Sequence, residues 1–207
     1  MGAAHSGGQT WVLATGNPGK LKEFNQRFSA LDIRFKPQSD FSLDGVEETG
    51  TTFVENAILK AKAACHASGL PALADDSGLR VPALGGAPGV YSARYAGATA
   101  TDAQNNQKLL QALADCDDRR AEFCCALVLM RSADDPLPVV VQATWAGTIA
   151  QQTKGEGGFG YDPLFVIDGG DTTSAELDGA QKNRISHRGQ AIDALLAALS
   201  GKDAARI

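Results

Sequence analysis

The sequence has no apolar run of the roughly 18 residues that a membrane helix needs, and its first ten residues lack the basic-then-apolar order of a secretory signal peptide. It also lacks internal repeats, low-complexity segments and any linker long enough to divide it. Basic residues are in the minority, since 19 Lys and Arg face 24 Asp and Glu. Nucleic acids and anionic membranes bind basic faces, so neither is expected as a partner, and we predict a cytoplasmic protein.

Cysteines are few, and their spacing is not that of a metal site. Cys65 and Cys116 stand alone, whereas Cys124 and Cys125 are adjacent and would point to opposite faces of a strand. We interpret all four as reduced core thiols rather than zinc ligands. The 207 residues suffice for one substantial α/β domain. We predict this domain at residues 11–200, with a flexible extension at 1–10 and a frayed C-terminus at 201–207.

Two adjacent carboxylates lie near the middle of the chain. Asp75 and Asp76 follow the short apolar run 70–73, and Ser77 and Gly78 come next, so the pattern predicts acids at the end of a strand. Adjacent acids are costly to bury unless a cation or a proton compensates them. Mg²⁺ takes one or two carboxylates and leaves its other positions to water and phosphate oxygens. The alternative is a solvated Asp-Asp-Ser-Gly turn.

A glycine loop near the start of the chain has the layout of a phosphate-binding site. The short strand 11–14 runs into this loop, and an amphipathic helix follows at residues 21–31. Loop amides and a helix N-terminus offer donors and partial positive charge to an anion. The alternative is an ordinary strand-to-helix turn, which uses the same glycines. The loop consists of Thr15, Gly16, Asn17, Pro18, Gly19 and Lys20.

A long helix is predicted over residues 53–68, with Thr51 or Thr52 as its cap and a glycine directly after it. On this helix Asn56 and Lys60 lie four residues apart and share one face. A helical lysine is usually a solvated surface residue. The alternative here is a substrate contact, because an acid pair and a polar asparagine accompany the lysine.

The two longest β-rich runs, residues 122–130 and 139–149, are predicted to form an antiparallel pair in a large sheet.

The later segment 155–163 places four glycines around two aromatic residues. Such a glycine content lets the main chain approach a flat ligand, on which Phe159 would stack. The alternative is a flexible hairpin loop with a pinned aromatic side chain.

Two further sets of cations are candidate ligands for a phosphate or a base. Arg94 lies between aromatic residues, where it is either a phosphate contact or a stacked surface arginine. His187 and Arg188 fall in the first turn of the last helix, which Ser186 is predicted to cap. Cations oppose the helix dipole there, so the pair favours a ligand. An exposed first turn is the alternative.

Taken together, these stretches resemble the non-canonical purine nucleoside triphosphate pyrophosphatase family, the Ham1-like inosine and xanthosine triphosphate pyrophosphatases. The resemblance implies an elongated α/β fold, in which helices flank a mixed sheet, with two lobes, a central active-site cleft and a homodimeric assembly. The joint occurrence of the motifs in the family's order is far more specific than any one of them. The matching residues are 14–20, 47–50, 53–57, 74–79, 85–95, 157–163 and 186–189.

The resemblance implies hydrolysis of the α–β phosphoanhydride of ITP, dITP or XTP to the monophosphate and pyrophosphate, with Mg²⁺ required. By similarity, Glu47 and Asp76 contact the metal, and Asp76 also accepts the proton of the attacking water. Asp75 and Lys60 are the supporting catalytic residues. The substrate contacts that the resemblance implies are the loop from Thr15 to Lys20 together with Ser77, Arg94, Phe159, Gly160, Tyr161, Asp162, Lys182, His187 and Arg188.

Two alternative functions remain open from the sequence. A related pyrophosphatase acting on modified or pyrimidine nucleotides would share the metal and phosphate residues but not the base-reading set at 159–162 and 186–188. A nucleotide-binding regulator would keep the pocket without turnover. The regulator is disfavoured, because a pure sensor has no need of acids at Glu47, Asp75 and Asp76 together.

Overall fold

The computed structural model of the chain describes residues 8–167 and 169–200. The predictions for residues 1–7 and 201–207 concern residues outside this range. Within the described range, the elements in chain order are β1 (Gln9–Ala14), α1 (Pro18–Phe28), β2 (Ile33–Pro37), α2 (Phe53–Ser68), β3 (Ala72–Arg80), α3 (Asp102–Ala112), β4 (Arg120–Met130), β5 (Val139–Ile149), β6 (Phe165–Ile167), α4 (Gly179–Ile185) and α5 (His187–Ser200).

The strands form one mixed sheet in the order β2-β1-β3-β4-β5-β6. β1 pairs in parallel with both β2 and β3, whereas β5 and β6 are antiparallel. The predicted α/β class with a mixed sheet and flanking helices is therefore confirmed. The two long β-rich runs are neighbours in the sheet as predicted, because β4 lies beside β5.

The chain divides into two compact units, each with its own core. Unit 1 takes in the residues up to 76, residues 126–141 and those from 192 onward, and unit 2 takes in residues 77–125 and 142–191. In unit 1, α2 presents the small side chains Ala57, Ala61 and Ala64 to the buried strand residues Val12 and Ala72. Small residues on a helix let its backbone approach a sheet closely, which places the α2 side chains near β3.

The start of α2 follows the predicted capping chemistry. The Thr52 hydroxyl accepts from the amide of Glu55 at 3.1 Å, and the Glu55 carboxylate accepts from the amide of Thr52 at 2.9 Å. This reciprocal pair is a capping box and fixes where the helix begins. The helix ends at Gly69, whose φ of +67° is the left-handed conformation that glycine adopts at least cost.

The core of unit 2 is rich in aromatic rings. Phe123, Trp145 and Phe165 pack against one another with centroid separations of 4.5 to 6.4 Å. Buried aliphatic side chains from β3, α3 and the segment before β6 complete this cluster, namely Leu79, Val81, Leu109, Leu113 and Leu164. The core supports the loop at 155–163 and the start of α5, which carry the candidate base-binding residues.

The position predicted for the central acids is wrong. Asp75 and Asp76 lie within β3, which continues through Ser77 and Gly78 to Arg80 as a nine-residue strand. The two acids are only 4% and 7% exposed, so the solvated-turn alternative is also excluded. The residue types favour a turn. Pairing of β3 with β1 ends at Ala74, but β4 lies on the other side of β3, and pairing with this neighbour overrides the local preference.

All four cysteines are free thiols, as predicted. Cys65 and Cys125 are buried, whereas Cys116 and Cys124 are only half-buried, so the core assignment holds for two of the four. Burial raises the pKa of the Cys124 thiol to about 11, which keeps it protonated near neutral pH.

Among the helices in the described part of the chain, none combines the length and the apolar character needed to cross a membrane.

Candidate active site

The glycine loop and the first turn of α1 form one structure. The helix begins at Pro18, three residues earlier than predicted, with Asn17 as its N-cap. The Asn17 side-chain oxygen accepts from the amides of Gly19 and Lys20 at 2.8 and 3.2 Å. Thr15 in turn accepts from the amide of Asn17 at 3.2 Å. The predicted phosphate loop is therefore a capped helix N-terminus, which is a favourable environment for anions.

Lysines from two helices meet the acids of β3. The Lys20 ammonium lies 3.0 Å from the Asp75 carboxylate, and the Lys60 ammonium lies 2.6 Å from Asp76. Lys60 also lies 3.2 Å from Glu48. The side chains of Lys60, Asp76 and Asp75 are 15%, 10% and 1% exposed. Lys60 is thus not the solvated surface lysine of the alternative interpretation. The structure brings together four of the predicted site residues, Lys20, Lys60, Asp75 and Asp76.

The charges in this cluster do not balance. Burial, aided by the nearby carboxylates of Glu48 and Asp75, raises the pKa of Asp76 despite the attraction of Lys60. Burial acts to lower the pKa of Lys60, but the attraction of Asp76, Glu48 and Asp75 outweighs it and raises that pKa above the ordinary value. The carboxylates contribute to both shifts, because three carboxylates share two ammonium groups.

This surplus of negative charge fits a divalent cation. Within residues 8–167 and 169–200, no three His, Cys, Asp or Glu side chains form a preformed metal cage. A cage is not what Mg²⁺ requires, since it usually binds through one or two carboxylates and takes its remaining ligands from water and phosphate. The carboxylate oxygens around Asp76 are the hard donors that Mg²⁺ prefers.

The neighbouring glutamates differ in their surroundings. Glu47, the predicted metal contact, is exposed, whereas Glu48 is half-buried and contacts Lys60. Glu48 was not singled out from the sequence, where the adjacent acids give no indication of which one faces the cluster. Only the conformation of the segment before α2 decides that. The metal role of Glu47 stays a prediction.

A second cluster, in unit 2, surrounds the ring of Phe159. This ring is 54% exposed, unusually open for a phenylalanine. The Lys182 ammonium lies 4.9 Å from the ring centroid and the Arg188 guanidinium carbon 5.8 Å from it. Both distances are within cation–π range. The structure therefore brings three predicted substrate contacts from separate segments together around one aromatic platform.

Asp162 holds this cluster together. Its side chain is almost fully buried, and one carboxylate oxygen accepts from the Phe159 amide at 2.8 Å and from the Lys182 ammonium. The other oxygen accepts from the Ser174 hydroxyl at 2.8 Å. Ser174 was not recognised from the sequence, because nothing local connects it to Asp162. The packing also explains Gly158, where a Cβ would overlap the Asp162 carboxylate.

His187 and Arg188 are buried, at 5% and 7% exposure, so the exposed-turn alternative is excluded. Ser186 caps α5 as predicted, with its hydroxyl accepting from the Gly189 amide at 3.2 Å. The His187 ring stacks on Phe123 at a centroid distance of 4.9 Å and an interplanar angle of 16°. These contacts fix His187 on the core of unit 2 and set the start of α5, which carries Arg188.

The remaining candidates have varied environments. Tyr161 is buried, donates its hydroxyl to the carbonyl of Ser92 at 2.8 Å, and has a pKa raised chiefly by burial, so its side chain serves the core. The Arg94 guanidinium lies 5.3 Å from the Tyr91 ring centroid, the stacked arrangement considered above. Ser77 follows Asp76 on β3 and is half-buried. Substrate roles for Arg94 and Ser77 stay predictions.

The fold and these two clusters define an α/β protein with a lysine-paired carboxylate cluster on a central strand and an aromatic platform flanked by cations. Comparison with known proteins agrees with this class. The Ham1 family model matches residues 11–198, and the chain belongs to this family.

Individual relatives are similar over nearly the whole chain. A protein of Photorhabdus laumondii named dITP/XTP pyrophosphatase is 54% identical over 91% of this chain and 96% of its own length. The protein of that name from Shigella flexneri is 53% identical over 92% of this chain and 98% of its own. The solved structure of a HAM1 protein from Coxiella burnetii superposes with a TM-score of 0.89 at 51% identity, covering 93% of this chain and 98% of that one.

Proposed function

We propose that this chain is a Mg²⁺-dependent nucleoside triphosphate pyrophosphatase that hydrolyses dITP, ITP and XTP to the monophosphate and pyrophosphate. The names of its relatives from Photorhabdus and Shigella support the reaction and two of the substrates. The observation that carries the proposal is the Lys60–Asp76 pair, in which a buried carboxylate of raised pKa is held at 2.6 Å from an ammonium group.

Asp76 is the proposed proton acceptor. A carboxylate whose pKa is raised by burial is a better base than an ordinary surface aspartate, because base strength increases with pKa. Lys60 keeps Asp76 ionised and oriented, and Asp75 is fixed in turn by Lys20. Asp76 would remove a proton from the water that attacks phosphorus, while the lysines offset the charge on the phosphate oxygens.

The proposed metal ligands are Asp76 and Glu47. When bound, Mg²⁺ would neutralise charge on the departing pyrophosphate. The Lys60 ammonium already contacts both Asp76 and Glu48, the residue next to Glu47. The carboxylate surplus described above supports a cation at this position.

The triphosphate is assigned to the capped loop from Thr15 to Lys20, with Lys60, Ser77 and Lys182. The purine is assigned to Phe159, whose half-exposed ring is suited to stacking. Buried His187 and Arg188 are assigned to the purine edge. Hypoxanthine and xanthine carry a 6-oxo acceptor for such donors, whereas the 6-amino group of adenine would leave them unpaired, and unpaired buried donors disfavour binding strongly.

Pyrophosphate release from a panel of ITP, XTP, GTP, ATP, dUTP and TTP, with Mg²⁺ and with a chelator, tests the proposal. Release confined to ITP and XTP in the presence of Mg²⁺ is the expected result. Turnover of pyrimidine or canonical nucleotides would refute the purine assignment and favour the related pyrophosphatase group. Binding without release would favour the regulator.

Arg188→Ala is expected to reduce the ratio of kcat/KM for ITP to kcat/KM for ATP by roughly 10- to 100-fold, since one hydrogen bond from a charged donor contributes about 1.5–3 kcal/mol. Steady-state kinetics on both substrates measure this ratio. Arg184→Ala is the matched control, because Arg184 carries the same charge on an exposed face of α4. Equal losses on ITP and ATP would instead assign Arg188 to phosphate.

Homodimeric assembly, which the family resemblance implies, and a cytoplasmic location also belong to this proposal. Light scattering on the purified protein tests the first, with twice the chain mass of 21.5 kDa as the expected value. Cell fractionation tests the second.

A further inference from the structure

Gly160, in the loop that carries Phe159, is hydrogen-bonded to α3 through both of its backbone polar groups. The Gly160 amide donates to the Asp102 carboxylate at 2.6 Å, and the Gly160 carbonyl accepts from the Asn106 side-chain amide at 3.0 Å. Both polar groups of one peptide residue are therefore held by side chains of one helix. Asp102 and Asn106 are four residues apart, so they lie one above the other on the same helix face.

At Gly160 itself, hydrogen bonds rather than side-chain packing make the contact with α3. A cavity of about 530 Å³ lies beside it, lined by Asp102, Asn106 and the loop residues 155–160. Gly160 has a φ of +61°, and a Cβ on it would meet open space. Gly160 has no side chain to pack against α3, so the two hydrogen bonds are what hold this peptide to the helix.

The buried side-chain amide of Asn106 is only partly hydrogen-bonded. Its side chain is 6% exposed, and its side-chain oxygen has no hydrogen-bond donor among the residues that the structure describes. A buried acceptor without a donor is destabilising, and an apolar side chain of similar size would avoid that cost. The bond from its amide nitrogen to Gly160 is the contact that an apolar side chain would lose.

We propose that Asp102 and Asn106 are positioning residues that set the orientation of the Phe159 ring for purine stacking, an inference that rests on the proposed function. Phe159 directly precedes Gly160, and its own amide is fixed by Asp162. The backbone on both sides of the ring is thus anchored, on one side to α3 and on the other to the Asp162 cluster. Neither Asp102 nor Asn106 touches the base; each acts through the loop.

A double-mutant cycle tests this inference with dITP as substrate and saturating Mg²⁺. Phe159→Ala is expected to raise KM about 10-fold or more with little change in kcat, because stacking stabilises ground and transition states alike. Asn106→Leu, which keeps the branching of the side chain and removes the donor, is expected to raise KM about 5-fold. In the Phe159→Ala background it should change KM by less than about 1.5-fold, because residues that act through one another are not additive.

Substitutions of Asp102 provide a second test of the inference. Asp102 is exposed, so its substitution does not threaten folding. Asp102→Ala should raise KM about 5-fold, whereas Asp102→Asn keeps an acceptor for the Gly160 amide and should restore a near-normal KM. Gln107→Leu, at the next position along α3 after Asn106, is the matched control and should leave KM unchanged. Thermal denaturation of each variant shows whether it is folded.

Results that refute the proposed function can be distinguished from results that refute the positioning role alone. If Phe159→Ala leaves KM unchanged, the base-stacking part of the proposed function is refuted, and the positioning role with it. If Phe159→Ala raises KM but Asn106→Leu has no effect, or the same effect in both backgrounds, the positioning role alone is refuted. Failure of Asp102→Asn to restore KM also contradicts it.

Discussion

Asp76→Asn is expected to reduce turnover by at least about 10³-fold, since general-base catalysis alone contributes roughly 10²- to 10⁴-fold and the same substitution removes a proposed metal ligand. The amide has the shape of the carboxylate but neither its charge nor its basicity. Release of pyrophosphate from dITP, followed at several Mg²⁺ concentrations, measures the loss. A rate near that of the unaltered protein would exclude Asp76 as the proton acceptor.

The same variant should remain folded. The raised pKa of Asp76 means that its ionised form is less favourable in the folded than in the unfolded chain, so above the unfolded pKa the charge costs stability. Removing that charge leaves two carboxylates and two ammonium groups in the cluster. Melting of the metal-free protein should therefore occur within a few degrees of the unaltered chain.

Asp75→Asn is the matched comparison. Asp75 is held by Lys20, and its side chain is 1% exposed, which suits a supporting role rather than contact with water. We expect about a 10-fold loss of turnover from this change, well below that of Asp76→Asn. A larger loss at Asp75 than at Asp76 would exchange the two assignments.

Lys60→Met should destabilise the metal-free protein by about 2 kcal/mol at pH 8, somewhat less than the ~3–5 kcal/mol for breaking a fully buried pair, because this pair is partly exposed. The change leaves the carboxylates of Glu48, Asp75 and Asp76 with one ammonium group, which raises the pKa of Asp76 further. Urea unfolding of the metal-free variant, measured as a free energy of unfolding at pH 5 and pH 8, tests this expectation.

The sign of the pH dependence follows from linkage. A carboxyl whose folded pKa lies above its unfolded pKa costs stability increasingly as pH rises through that interval, so Lys60→Met should be less destabilising at pH 5 than at pH 8. Adding Asp76→Asn should restore most of the lost stability. Lys62→Met is the control, since its side chain is 57% exposed and its partner Asp134 is 97% exposed. If the loss of stability is independent of pH and Asp76→Asn does not relieve it, the loss comes from packing alone.

Much of the local structure follows from local signals. The capping threonine and terminal glycine of α2 fixed its ends, and the hydroxyl of Ser186 caps α5 as its position predicted. The strand–loop–helix order placed the predicted phosphate loop at a helix N-terminus. These features depend on residues within a few positions of one another, so the sequence carries the information directly.

The error at Asp75 and Asp76 has the opposite origin. Asp, Ser and Gly are turn formers, and a local reading therefore ended the strand too early. The β1 ladder ends at Ala74, and β3 continues through the acids beside its other neighbour, β4. That outcome depends on residues far along the chain.

By itself, the sequence determined the class of fold, the family, and the motifs that supply the lysines, carboxylates and aromatic ring of the two clusters. The tertiary structure alone decided how they are partnered. Glu48 rather than Glu47 contacts Lys60, Ser174 supports Asp162, and α3 holds Gly160 across 58 positions of sequence. The physical reason is that helix periodicity and capping are local, whereas burial, charge surplus and hydrogen bonds between distant segments exist only once the chain has packed.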